Sequence, residues 1–107
     1  MPTYNKLVRD RIPEIIEKSG KELKTETLDH DRYILELKKK LNEEVEEYQT
    51  ASTNADALEE LADVLELMNA LIRIHGSSVE EVEKIRADKA AKRGGFDEKI
   101  FLIEVED

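Results

Sequence analysis

Residues 57–72, ALEELADVLELMNALI, contain almost no helix breakers and are rich in leucine. Such a segment predicts a helix that is apolar around most of its circumference. On this helix Glu60 falls within the apolar arc and Asp63 falls at its margin, because each residue turns the helix by about 100°. A buried carboxylate without a partner is strongly disfavoured. These two side chains must therefore be protonated, paired with a cation or bound to a metal ion.

The preceding segment, residues 29–51, predicts a second long amphipathic helix. Its apolar stripe is formed by Ile34, Leu37, Leu41, Val45 and Tyr48. Among the four glutamates of the motif EEVEE, Glu44 lies inside the edge of this stripe and Glu47 borders it. The other two glutamates fall on the far face and are expected to be solvated.

A short connection, STNAD, separates the two predicted helices, which should therefore pack as an antiparallel hairpin. Glu44 precedes the turn near Ser52 by eight residues, and Glu60 follows it by eight, so the two lie at a similar height. Glu47 and Asp63 lie within about one helical turn of that level. The sequence thus predicts four carboxylates in one groove, a ligand set that suits Mg²⁺ or Mn²⁺ rather than Zn²⁺.

The competing interpretation is that these glutamates only form a solvated helix face. The spacing Glu-x-x-Glu arises by chance in so acidic a chain, as at Glu14/Glu17 and Glu80/Glu83. A metal site is favoured because two such pairs occur at matched height across one tight hairpin.

Two shorter helices are predicted outside the hairpin. Residues 9–20, RDRIPEIIEKSG, predict a short helix with Asp10 as its cap. Residues 77–93 predict a further helix that begins with a capping box between Ser78 and Glu81.

A minor β element completes the predicted fold. Residues 22–28 alternate weakly in polarity, and residues 99–105 are rich in β-forming side chains, so the two are expected to pair as a two-stranded ribbon. The predicted fold class is therefore mainly α, an antiparallel bundle of about four helices with this β element. At this length we expect one domain over residues 1–107.

Composition limits the partners. The chain has 26 acidic and 17 basic residues and a net charge of -9, which argues against binding to nucleic-acid backbones or anionic membrane surfaces. It has no cysteine, no apolar run near the roughly 18 residues of a membrane span and no signal-peptide core at its start. We expect a cytoplasmic protein that binds neither nucleic acid nor membranes.

Basic residues on the last predicted helix are a second unusual feature. Lys89 and Arg93 continue the apolar face of Val79, Val82 and Ile85, so their stems are expected to face inward. Snorkelling of these stems, or attraction to the helix C-terminus, would explain them without any ligand. Beside a cluster of carboxylates and a metal ion, they also suit a phosphate site.

The N-terminal motif KLVRDR offers Lys6, Arg9 and Arg11 as further candidates for phosphate contacts. A surface location is the favoured interpretation for these three residues, and phosphate binding is the alternative. Glu59 and Glu66 lie on the polar strip of the leucine-rich helix, and no role is assigned to them.

The pattern Glu44-x-x-Glu47 followed by Glu60-x-x-Asp63, on consecutive helices, resembles the signature of the MazG-like, all-α nucleoside triphosphate pyrophosphohydrolases. This superfamily includes phosphoribosyl-ATP pyrophosphohydrolases and dimeric dUTPases. The terminal segments YNKLVRDRIPEII and KAAKRGGFDEKIFLIEV resemble a small branch described as predicted house-cleaning pyrophosphohydrolases. The resemblance covers nearly the whole chain.

The resemblance implies that the four carboxylates ligate Mg²⁺, and it maps the phosphate-binding residues best onto Lys89 and Arg93. It implies hydrolysis of a nucleoside triphosphate, expected to be a non-standard one, between the α- and β-phosphates, which yields a nucleoside monophosphate and pyrophosphate. In such a reaction Glu44 or Glu47 would act as the general base. Members of the superfamily are usually homodimers or homotetramers, and we expect the same here.

Two other functions stay open. The chain could be a phosphoribosyl-ATP pyrophosphohydrolase, which uses the same chemistry on a different nucleotide. Alternatively, it could be a non-catalytic helical module that assembles with itself or with a partner, its carboxylates merely solvated.

Overall fold

The computed structural model describes residues 2–107, which form four helices. In chain order these are α1 (Ile12–Lys18), α2 (His30–Thr50), α3 (Asn54–Ile74) and α4 (Val79–Arg93). The predicted mainly helical bundle of about four helices is confirmed.

Side-chain caps set where the two long helices begin. The Asp29 carboxylate accepts a 2.9 Å hydrogen bond from the backbone N–H of Arg32 at the start of α2. The Thr53 hydroxyl accepts a 3.1 Å hydrogen bond from the N–H of Asp56 at the start of α3. Each bond satisfies one of the backbone donors that a helix leaves free at its N-terminus. The hairpin turn is therefore fixed by local sequence.

The two shorter helices differ in how they begin. Ser78 caps α4 by accepting a 3.2 Å hydrogen bond from the N–H of Glu81, as predicted. The prediction that Asp10 caps α1 is wrong, because the residue at the cap position is Arg11 and no side-chain bond is made there. Pro13 sits in the first turn, where its missing N–H costs nothing. The helix thus starts one residue too late for Asp10 to reach it.

The core lies between α2 and α3, which pack extensively against each other, whereas α4 packs only lightly on α3. Leu37 of α2 and Leu67 of α3 are 2% and 8% exposed and form the buried hydrophobic core of the described residues. Glu44 of α2 is buried to a similar degree as Leu67. The hairpin therefore carries both the main packing of the fold and the predicted site.

A stripe of apolar side chains on α3 stays exposed. Leu58, Leu61, Leu65 and Met68 are spaced three and four residues apart, so they share one face of the helix. The described residues have a radius of gyration of 18.5 Å, whereas a compact domain of this length has about 13 Å. Despite this apolar surface, no helix within residues 2–107 is long and apolar enough to cross a membrane.

The predicted two-stranded element is wrong. No strand forms within residues 2–107, so residues 22–28 and 99–105 do not make the expected ribbon. Phe101 and Ile103 of the tail are 88% and 85% exposed. No backbone hydrogen bond joins the two segments in the described part of the chain. A β-forming sequence needs a paired backbone and a face to bury, and this tail has neither.

Replacing Thr53 with alanine should lower the free energy of unfolding by about 1 kcal/mol, because the first turn of α3 loses its cap. Chemical denaturation measures this change. Ser52→Ala is the matched control, since Ser52 is the neighbouring exposed hydroxyl in the same turn. Equal stability of the two variants would contradict the proposed importance of the cap.

Candidate metal centre

Three of the four predicted carboxylates converge between α2 and α3. Glu44, Glu47 and Glu60 each place a carboxylate oxygen within 4.8 Å of the others. Glu44 and Glu47 lie three residues apart and share one face of α2, and Glu60 approaches from α3. Glu44 and Glu60 each lie eight residues from the turn, which predicts that they lie at the same height. The structure brings their carboxylate oxygens together as this spacing predicts.

The three carboxylates differ in their access to water. Glu44 is 8% exposed, Glu60 is half-buried, and Glu47 is exposed. Oε2 of Glu44 and Oε2 of Glu60 are both buried and have no hydrogen-bond partner among residues 2–107. The nearest cation to Glu44 is Lys40, whose Nζ lies 3.9 Å from Oε1. Two buried, unpartnered oxygens fit a divalent cation that binds oxygen ligands.

Burial and mutual repulsion favour the protonated forms of Glu44 and Glu60. Burial, followed by contacts with Glu60 and Glu47 and the charges of Glu47 and Asp63, raises the pKa of Glu44 to about 7. Contact with Glu44 lowers the pKa of Glu60, but contact with Glu47, burial and the charges of Glu47 and Asp63 outweigh it, so the pKa is raised. Without a cation, protonation of Glu44 thus relieves part of the negative charge at this site.

Asp63, the fourth predicted ligand, is paired with a cation instead. Its Oδ1 accepts a 2.7 Å hydrogen bond from Nη2 of Arg9, and Nη1 of Arg9 lies 3.9 Å from Oε1 of Glu66. Asp63 is nevertheless close enough for its charge to raise the pKa of Glu44. The structure therefore places Asp63 beside the three-glutamate cluster, and its role as a metal ligand stays a prediction.

A cleft of about 300 Å³ opens next to this cluster. Its charged lining residues are Lys6, Arg9, Lys40, Glu44, Asp63 and Glu66. Leu67 forms part of its apolar lining. The cleft thus combines basic and acidic groups in one place, an arrangement suited to a ligand that carries both phosphates and a metal ion.

The predicted phosphate-binding residues lie elsewhere. Lys89 and Arg93 are exposed on α4, and neither lines the cleft beside the carboxylates. Their assignment to phosphate stays a prediction that rests on the resemblance.

Sequence reasoning missed four charged residues of the cleft, because it favoured the solvated surface for Lys6, Arg9 and Glu66 and did not consider Lys40. The available signal was the density of basic residues in KLVRDR within a terminal motif that itself carries the resemblance. The surface interpretation holds for Arg11, whose Nε lies 3.4 Å from Glu14 in its own helix.

The acidic residues assigned to solvent on the hairpin are mostly exposed, as helical geometry predicts. Glu43, Glu46 and Glu59 are all exposed, although each neighbours a member of the cluster. These residues provide matched controls of the same charge and the same helix.

Comparison with known proteins assigns no function. A Mycolicibacterium smegmatis protein described as uncharacterized is 51% identical over 53 residues, which are 50% of this chain and 54% of that protein. The chain thus spans about half the length of this curated relative. No protein-family model and no solved structure matches the chain.

In the metal-free protein, Glu44→Gln should change how stability depends on pH. The folded state keeps the Glu44 proton up to a pKa of about 7, whereas the unfolded chain releases it near 4.5. The unfolded state therefore binds fewer protons between these values, and this group lowers the free energy of unfolding as pH rises through that window. The stability of Glu44→Gln relative to wild type should increase from pH 4.5 to 7 and then level off.

Denaturation with a chelator present, at several pH values, measures this difference. Glu43→Gln is the control, because Glu43 is exposed on the same helix. Parallel pH profiles for wild type and Glu44→Gln would show that the Glu44 carboxylate titrates normally.

Proposed function

We propose that this protein is a Mg²⁺-dependent pyrophosphohydrolase that cleaves a nucleoside triphosphate between the α- and β-phosphates. The observation that carries the proposal is the pair of buried, unpartnered oxygens of Glu44 and Glu60, which meet Glu47 between two helices. Buried carboxylates that lack hydrogen bonds are costly in a purely structural helix pair. A binding site for a divalent cation accounts for that cost.

Glu44, Glu47 and Glu60 would hold the cation, with Asp63 as the predicted fourth ligand. Their oxygens are hard ligands, which favour Mg²⁺ and also accept Mn²⁺. When bound, Mg²⁺ supplies charge neutralisation for the phosphates and for the pyrophosphate that leaves. A chain with net charge -9 needs such neutralisation before it can hold a polyphosphate.

The difference in exposure gives Glu47 a second role beside that of a ligand. Glu44 is buried at the helix interface and is held in place, which suits a ligand. Glu47 is exposed and is therefore in contact with water, which suits a general base. In the proposed reaction Glu47 takes a proton from the attacking water, and the water oxygen forms a bond to phosphorus at the α–β link. The α–β phosphoanhydride bond breaks at the same time, which releases a nucleoside monophosphate and pyrophosphate.

The substrate class rests on the resemblance to MazG-like enzymes rather than on the cleft alone. The resemblance favours a nucleoside triphosphate, particularly a non-standard one, and assigns phosphate contacts to Lys89 and Arg93. Since both residues are exposed on α4, this assignment would require them to meet phosphate in an assembled oligomer or after movement of α4.

Assembly into a homodimer or homotetramer is part of the proposal. The exposed stripe of Leu58, Leu61, Leu65 and Met68 is supporting evidence, because apolar side chains at this helical spacing favour packing against another helix. The extended shape of the chain also supports it, since the hairpin alone leaves α3 largely uncovered.

Pyrophosphate release from a panel of nucleoside triphosphates, with and without Mg²⁺, tests the function. We expect pyrophosphate and the monophosphate as products, and only when Mg²⁺ is present. Glu47→Gln should reduce turnover by about 10²- to 10⁴-fold, because it removes the general base. Glu46→Gln should behave as wild type, since this residue is exposed and lies outside the cluster.

Each alternative predicts a different result. Activity on phosphoribosyl-ATP alone would identify a phosphoribosyl-ATP pyrophosphohydrolase. Absence of pyrophosphate from the whole panel, together with no effect of Mg²⁺ on thermal stability, would indicate a non-catalytic helical module.

A further inference from the structure

The contact between Arg9 and Asp63 joins the N-terminal segment to the edge of the carboxylate cluster. Arg9 precedes α1, whereas Asp63 lies on α3 one helical turn beyond Glu60. The side chains of Arg9 and Asp63 are 53% and 39% exposed. An ion pair this accessible to water stabilises a fold little and exchanges partners readily.

Arg9 is not an isolated surface cation. Lys6 and Lys40 line the same cleft, so three positive side chains surround a space of about 300 Å³. Lys40 approaches the buried Glu44 from α2, and Lys6 lies 5.6 Å from the centre of the Tyr4 ring. The cleft therefore places three cations among the carboxylates of Glu44, Asp63 and Glu66, in a protein whose net charge is strongly negative.

Arg9 has the chemistry that a diphosphate group requires. A guanidinium presents several N–H donors in a planar fork, which can bond two phosphate oxygens at once. Among residues 2–107, only Nη2 makes a hydrogen bond, and Nη1 lies 3.9 Å from Oε1 of Glu66. The group therefore has donors to spare.

We propose that Arg9 binds the diphosphate group of the substrate, and that its pairing with Asp63 is the resting state of the site. Asp63 exchanges its bond to Arg9 for the divalent cation, which releases the guanidinium for phosphate. This inference rests on the proposed function, because it requires both a cation and a phosphorylated ligand. It assigns phosphate recognition to the N-terminal segment in addition to α4.

The exchange predicts effects of opposite sign on the two ligands. Without Arg9, Asp63 is free for the cation, so Mg²⁺ should bind more tightly. Without Arg9, the cleft has also lost the guanidinium that would bind two phosphate oxygens, so pyrophosphate should bind more weakly. A purely structural ion pair would not give effects of opposite sign. Its loss would disturb the local structure and weaken the binding of both ligands.

Calorimetric titration of Arg9→Gln with Mg²⁺ alone, then with pyrophosphate at a fixed excess of Mg²⁺, measures both effects. We expect the dissociation constant for Mg²⁺ to fall by about two- to fivefold and that for pyrophosphate to rise by about tenfold or more. Arg11→Gln is the matched control, because Arg11 pairs with Glu14 outside the cleft, and it should match wild type for both ligands.

Arg9→Lys provides a second variant that keeps the positive charge but loses the fork. Its affinity for pyrophosphate should lie between those of wild type and Arg9→Gln. The role of Arg9 is overturned if Arg9→Gln binds both ligands as Arg11→Gln does. It is also overturned if Arg9→Gln loses affinity for both ligands equally while Arg9→Lys matches wild type. Failure of the wild-type protein to bind Mg²⁺ would instead overturn the proposed function, and the exchange with it.

Discussion

The cost of burying carboxylate oxygen between α2 and α3 is the constraint on which the rest of the structure depends. Glu44 is as buried as the core residue Leu67, yet its Oε2 has no hydrogen-bond partner among the described residues. Glu60 approaches Glu44 from α3, and its Oε2 also lacks a hydrogen-bond partner among the described residues. Such a pair stabilises the hairpin only if a proton or a cation removes the charge. The raised pKa values of Glu44 and Glu60 favour a proton, and the proposed metal site would supply a cation.

The remaining features follow from holding these groups together. Caps at Asp29 and Thr53 fix where the two helices start, and this fixes the height at which their carboxylates meet. The same hairpin supplies the core, so little apolar surface is left to cover the outer face of α3. The proposed metal site and the proposed assembly therefore share one helix, because the helix that carries Glu60 also presents the exposed stripe starting at Leu58.

Local patterns allowed much of the fold and site to be predicted, whereas contacts between distant segments were missed. The two long helices and the convergence of Glu44 with Glu60 depend on spacing within one hairpin, which sequence determines directly. The Ser78 cap of α4 depends on a local sequence motif. The β element failed because strand formation depends on a partner that the sequence does not specify. The Arg9–Asp63 pair joins residues 54 positions apart, and it depends on a long, exposed side chain whose direction no helical period determines.

The most direct test of the central claim is a titration with Mn²⁺ followed by electron paramagnetic resonance, because the signal of the free ion diminishes when the ion is bound. Wild-type protein should bind Mn²⁺, and Mg²⁺ should displace it. Glu60→Gln should lose this binding, whereas Glu59→Gln, one residue away but exposed, should keep it. Equal Mn²⁺ binding by the two variants, or none by the wild type, would contradict a metal site between α2 and α3.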